Sequence, residues 1–169
     1  MLKKALTLLA LASLSAGAQS TNTAAAKMLW AGYHDYIAAA AKDVPENLYS
    51  FKPTPEVRSF GEILGHVAGA EKMFCGMVLG DKMAEDDVEK NVKTKAGLIA
   101  ALADSKTYCD KAYARTDAQN AAMIDLFGQQ RSMLYALMTN GGHDGEHYGN
   151  LVTYMRINKM VPPSSKPQR

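Results

Sequence analysis

The chain has 169 residues, of which 47% are apolar, 21% charged and 8% aromatic. That is one ordinary domain, with enough apolar content to build a core. Six prolines and 13 glycines exclude collagen-like and low-complexity classes, and two cysteines exclude a disulfide-dense miniprotein or a four-cysteine zinc ribbon.

The first twenty residues have the layout of a secretory leader. Lys3 and Lys4 precede an apolar run over residues 5–14, and Ala16-Gly17-Ala18 forms a small-x-small cleavage site. Residues 1–18 are therefore expected to be a signal peptide, with the mature domain, residues 19–169, periplasmic or secreted. The run is too short to span a bilayer, no later segment reaches ~20 apolar residues, and no cysteine follows it for a lipid anchor. Removing Lys3 and Lys4 brings the 19 basic residues down to 17, equal to the 17 acidic ones. A neutral domain without a basic tract gives no reason to expect nucleic acid or an anionic membrane as partner.

The mature chain reads as all-α. Residues 23–42 are rich in Ala, with Met28, Leu29, Tyr33, Tyr36 and Ile37 at helical spacing, and Pro45 follows the stop. Residues 47–58 carry Pro53 and Pro55 and should form an extended loop. A second helix starts after Ser59, whose partner Glu62 completes a capping box, and ends at Gly80-Asp81. Residues 81–93 are polar and charged and read as a solvated connection. About a dozen extended residues reach ~40 Å, long enough for the second and third helices to run parallel. The third helix covers residues 94–114. Residues 116–128 read as a loop with apolar anchors (Met123, Ile124, Leu126, Phe127), and a fourth helix covers 129–158. Pro162 and Pro163 close the ordered core, about 23–160. The fourth helix carries Gly141, Gly142, Gly145 and Gly149, each costing ~1 kcal/mol relative to Ala. Either the helix is interrupted there, or close packing or function compensates.

Two of the four histidines lie among these glycines. His143 and His147 are four apart, so on a helix their Cβ atoms are ~5–6 Å apart on one face. The same face carries Ala136, Asn140, Leu151 and Tyr154, which points the pair inward. His66 lies on the second helix in a row with Ile63, Ala70, Met73 and Met77. Three inward histidines on two helices suggest a three-His metal site with at least one position open, as in catalytic zinc centres; the competing reading is core histidines satisfied by hydrogen bonds. His34 reads as a surface or structural residue and a weaker alternative ligand. Glu146 and Asp144 flank the bisector of the His143/His147 pair, each ~80° away. Either can support a ligand or act as general base, Glu146 being preferred, while Asp144 reads more readily as an exposed helix charge. His143-Asp144-Gly145-Glu146-His147 matches the H-x-x-E-H protease pattern, but the 22 residues after His147 contain no Asp or Glu to complete it. A di-iron bundle lacks its paired Glu-x-x-His motifs. Cys75 and Cys109 sit on the second and third helices, either as one disulfide or as two buried thiols.

The sequence resembles the DinB/YfiT-like metal-binding four-helix bundles. The resemblance rests on Gly65-His66-Val67-Ala68, on His143-Asp144-Gly145-Glu146-His147-Tyr148-Gly149-Asn150, on the entry to the second helix over residues 45–60, on Tyr154-x-Arg156, and on Pro162-Pro163. It covers residues 28–163. It implies an up-down-down-up bundle, a homodimer, and a divalent ion, zinc or nickel, on His66, His143 and His147. Some relatives are thiol-dependent S-transferases or isomerases, and others are regarded as metal-dependent hydrolases. Many relatives have Gln where this chain has Asn150, so the ligands match but one supporting residue differs. Two functions follow: a metal-dependent enzyme of hydrolase or S-transferase type assisted by Glu146, or a non-catalytic metal-binding or stress-related bundle. A third alternative is a helical domain without metal. Nothing in the sequence reads out the small-molecule substrate. Trp30, Tyr33, Phe51 and the loop over residues 47–58 are candidates to line its site.

Overall fold

The computed structural model describes residues 21–81 and 88–167; the expected leader at residues 1–18 lies outside them. Four long helices dominate: α1 (Asn22–Asp43), α2 (Phe60–Leu79), α4 (Lys95–Tyr113) and α6 (Met133–Ile157). Between them lie two single helical turns, α3 (Val88–Asn91) and α5 (Asp117–Asn120), and a hairpin of β1 (Met123–Leu126) and β2 (Gln129–Ser132). Thr21, Ser59, Thr94 and Ser132 cap the long helices by accepting from backbone N–H groups of the first turn. The Ser59/Glu62 capping box is present, and Gly80 stops α2 in the left-handed region at φ 76°. Among the described residues no helix is long and apolar enough to cross a membrane.

The segment before α6 differs from expectation. Residues 116–128 are not a plain loop, and residues 129–132 are not helix. Thr116 and Gln119 make a second capping box for α5. Then Met123 pairs with Ser132 and Leu126 with Gln129 in an antiparallel hairpin. Its two-residue turn, Phe127-Gly128, has both φ values positive (54° and 79°), the backbone twist that suits a tight hairpin. Of the expected anchors only Leu126 is fully buried; Met123 and Phe127 are 59% and 64% exposed.

The paired residues give the helix directions. Between α2 and α4, Gly61 faces Leu98, Glu71 meets Ser105 and Cys75 is bonded to Cys109, so the partners rise together and the helices run parallel. Between α1 and α6, Trp30 faces Gly141, Tyr33 faces Gly145 and Tyr36 stacks on Tyr148, again in parallel. Between α2 and α6 the order reverses: Cys75 lies by Asn140, and His66 by His143 and His147. The glycines of α6 do not interrupt it. A Cβ on Gly141 would sit 3.4 Å from the Trp30 backbone, and one on Gly145 3.0 Å from the Tyr33 ring. Close packing of α1 therefore compensates at these two positions.

The core divides into two apolar clusters. One holds Ile37, Val67, Leu102 and Leu151; the other holds Trp30, Phe74, Leu137 and the cysteines. Between them lies a layer of buried polar side chains drawn from all four long helices: His34, Glu71, Ser105 and Asp144. Cys75 and Cys109 form a disulfide with Cα atoms 5.3 Å apart, which settles the two alternatives.

Candidate metal centre

α2 and α6 bring His66, His143 and His147 together, with all three ligand atoms within 4.8 Å of one another. His143 Nε2 lies 3.1 Å from His66 Nε2 and 3.1 Å from His147 Nε2. Two nitrogens bound ~2.0–2.1 Å from one ion are ~2.9 Å apart at a right angle and ~3.4 Å apart at the tetrahedral angle, and the observed separation falls between these. An imidazole nitrogen offers either one proton or one lone pair. His143 Nε2, facing two other ring nitrogens, cannot make a good hydrogen bond to both. A cation shared by three lone pairs removes that conflict, so the donor set fits a metal ion.

The electrostatics favour neutral, ligating rings. Burial lowers the His143 ring to about 4, and the neighbouring His147 and His66 add to the effect. His66 is lowered by burial and by Arg58, and His147 by burial and by His66. A neutral imidazole keeps the lone pair that a metal needs. Each ring has a different neighbour at Nδ1. Glu89 Oε2 is 3.2 Å from that of His66, the Asn150 amide makes a long 3.5 Å contact with that of His147, and Asp144 Oδ1 is 3.7 Å from that of His143.

Asp144 is not the exposed charge expected of it. It is 0% exposed and lies against Glu71, also 0% exposed. Glu71 Oε1 accepts from Trp30 Nε1–H at 2.8 Å and lies 2.7 Å from His34 Nδ1, while Ser105 Oγ–H donates to Oε2. Burial alone raises the Glu71 carboxyl, but His34 above all, with Asp144 and Ser105, outweighs it and holds it below its ordinary value. Burial, and then the Glu71 anion, push Asp144 well above its ordinary value. Both effects favour the neutral acid at Asp144 beside Glu71. No hydrogen-bond donor among the described residues reaches its oxygens.

His34 belongs to this buried layer and takes no part in the three-His cluster, so its role is structural. Trp30 is a core residue, fully buried and stacked on Tyr113 at 4.4 Å. Tyr33 packs on Gly145, and Phe51 packs edge-on against Tyr154. Residues 52–58 do form one wall of an open cleft of about 640 Å³ whose other wall includes Glu146, His147, Asn150 and Tyr154. Glu146 is exposed there and acts electrostatically on both His66 and His147. Sequence reasoning missed Glu71 and Glu89. Glu71 was visible as a carboxylate in the i, i+4 row Val67, Glu71, Cys75. Glu89, in a segment read as a solvated connection, had no such signal.

A family model described as the DinB superfamily matches residues 29–151. The crystal structure of a DinB-like protein from Bacillus cereus aligns with a TM-score of 0.72 at 16% identity, over 82% of this chain and 93% of that one. That of a DinB-like protein from Bacillus subtilis aligns with a TM-score of 0.59 at 19% identity, over 85% and 99%. These likenesses concern the fold. No curated protein sequence matches the chain.

Proposed function

The chain belongs to the DinB superfamily, and from that premise we propose that it binds a divalent ion through Nε2 of His66, His143 and His147. The observation that carries this reading is the meeting of three Nε2 atoms, with two separations of 3.1 Å, beside an open cleft. Three imidazoles suit zinc or nickel and leave a coordination position free. We further propose an enzyme of hydrolase or thiol S-transferase type. The bound ion would supply Lewis acidity, lowering the pKa of a water or thiol nucleophile. The chain's own part is carried by Glu146, an exposed carboxylate on the cleft wall placed to accept the nucleophile's proton and return it to the leaving group. The wall over residues 52–58 holds the substrate against that edge. The Cys75–Cys109 disulfide supports a periplasmic or secreted location, because such bonds persist in oxidising compartments. A non-catalytic metal-binding bundle would use the same histidines, and Glu146 in an open cleft favours the enzyme.

Metal content measured by plasma mass spectrometry on protein exported to a periplasm tests the site. The expected result is about one equivalent in wild type, lost in His66→Ala and His147→Ala. A metal-free wild type after reconstitution at neutral pH overturns the reading. In a panel of esters, amides and thiol–electrophile pairs, Glu146→Gln should keep the metal and lose ~10²–10⁴-fold in rate. A loaded wild type no faster than metal-free protein leaves the non-catalytic bundle.

A further inference from the structure

Glu89 stands on the single turn α3, in a segment whose sequence reads as solvent-facing. Three features fix where it stands, one of them on its carboxylate. Val88 is buried in the apolar cluster beside it. Arg58 Nε–H donates to Glu89 Oε1 at 2.8 Å, and the Arg58 carbonyl accepts from the Tyr154 hydroxyl of α6 at 2.7 Å. Beneath α3 lies Gly65, where a Cβ would stand 2.8 Å from Glu89 Cα and 3.1 Å from Glu89 N. The missing side chain at position 65 is what lets α3 lie on α2. The other carboxylate oxygen, Oε2, then lies 3.2 Å from His66 Nδ1.

We propose that Glu89 is the positioning residue for His66, fixing the ring as the Nδ1–H tautomer so that the Nε2 lone pair faces His143 and His147. This rests on the metal-binding reading above and assigns the part of the chain that prepares one of its ligands. A carboxylate offers only lone pairs, so the ring nitrogen facing it takes the proton. The opposite tautomer would set two lone pairs against each other at Nδ1 and aim an N–H at the cluster. Supporting carboxylates of this kind orient a ligating histidine and raise its basicity. Arg58 holds the far oxygen, so the loop before α2, α3 and α6 together set the orientation of one ring.

The test uses Glu89→Ala, Glu89→Gln and Gly65→Ala in the full mature chain, with folding checked by far-ultraviolet circular dichroism. Cobalt(II) and zinc affinities are measured by competition with a chromophoric chelator. Ring nitrogen NMR of the metal-free protein reads the His66 tautomer. Glu89→Ala should weaken both metals by ~10–100-fold and shift His66 toward a mixture of tautomers, with Gln retaining part of the effect through its carbonyl. Gly65→Ala should weaken binding by lifting α3. The Gly65→Ala/Glu89→Ala double variant should bind no worse than Glu89→Ala, because both act on one contact. Affinity within ~2-fold of wild type in Glu89→Ala, or a wild-type His66 already in the Nε2–H form, overturns the proposal. If wild type takes up no metal, the functional reading fails, while the tautomer of His66 still judges the role of Glu89.

Discussion

Glu71 ties all four long helices together, and two substitutions there separate its hydrogen bonding from its volume. Glu71→Gln is nearly isosteric. Its carbonyl oxygen still accepts from Trp30 Nε1–H and faces His34 Nδ1, and its new N–H groups face Ser105 Oγ and Asp144, both able to accept. Glu71→Leu fills similar space but offers no acceptor. Ser105 keeps its 3.0 Å bond to the Leu102 carbonyl, so two groups, on Trp30 and His34, are left without an acceptor in the buried core. Each stranded buried group costs ~1–3 kcal/mol. Leu, unlike Gln, gains from apolar burial, which offsets part of that sum. The Leu variant should therefore lie ~2–4 kcal/mol below the Gln variant, a melting temperature ~4–16 °C lower for a domain of this size. Urea unfolding with unchanged slope measures it. A Leu variant as stable as the Gln variant would refute the claim that Glu71 organises the polar layer.

Two further outcomes follow from the described contacts. The Cys75–Cys109 bridge closes a separation of 34 residues, worth ~3–4 kcal/mol in the chain-entropy model. The Cys75→Ala/Cys109→Ala variant should lose about that much by urea midpoint, and a loss under ~1 kcal/mol contradicts the account. Glu62 accepts from the Ser59 backbone N–H at 2.7 Å and pairs with Lys52 at 3.0 Å, which lowers its carboxyl to about 2. Because the folded value is depressed, its stabilisation is complete above the ordinary 4.5 and fades as pH falls toward 2. Glu62→Gln keeps the cap but not the charge, so its deficit against wild type should close over that window, reaching no more than ~1 kcal/mol at neutral pH given its partial exposure. A deficit independent of pH would show that the charge contributes nothing.

The parts of this fold that were legible follow from local rules. Ser59 with Glu62, the left-handed Gly80, and Pro53 with Pro55 act through neighbours a few residues away, so the helix boundaries they set could be read directly. The hairpin could not. Met-Ile-Asp-Leu does not alternate apolar and polar cleanly, and Gln-Gln-Arg-Ser is polar throughout. The strands bury little, with only Leu126 fully covered. Phe127-Gly128 was the one turn signal, and Phe at a positive φ is uncommon enough to hide it. The helix therefore begins at Met133 and not at residue 129, because the hairpin takes residues 129–132.

At the site, the ligands were legible because spacing of four on one helix and an apolar row on another both constrain direction. The groups around them were not, because burial of a carboxylate depends on partners distant in sequence. Asp144 lies seven residues from both Leu137 and Leu151, and all three are fully buried. Seven residues return to nearly the same side of a helix, so Asp144 shares their inward direction. Taken alone, an Asp at such a position reads as a solvated charge, since ionised carboxylates are rarely buried unpaired. Its partner is supplied by the second helix, where Glu71 interrupts the row of Val67 and Cys75 at the same level. Neither anomaly is interpretable by itself. Together they explain each other: burial and the neighbouring Glu71 favour the neutral form of Asp144, while donors on Trp30, His34 and Ser105 surround the Glu71 carboxylate. A carboxylate in an apolar helical row is thus evidence for a second polar residue at matching depth on a facing helix.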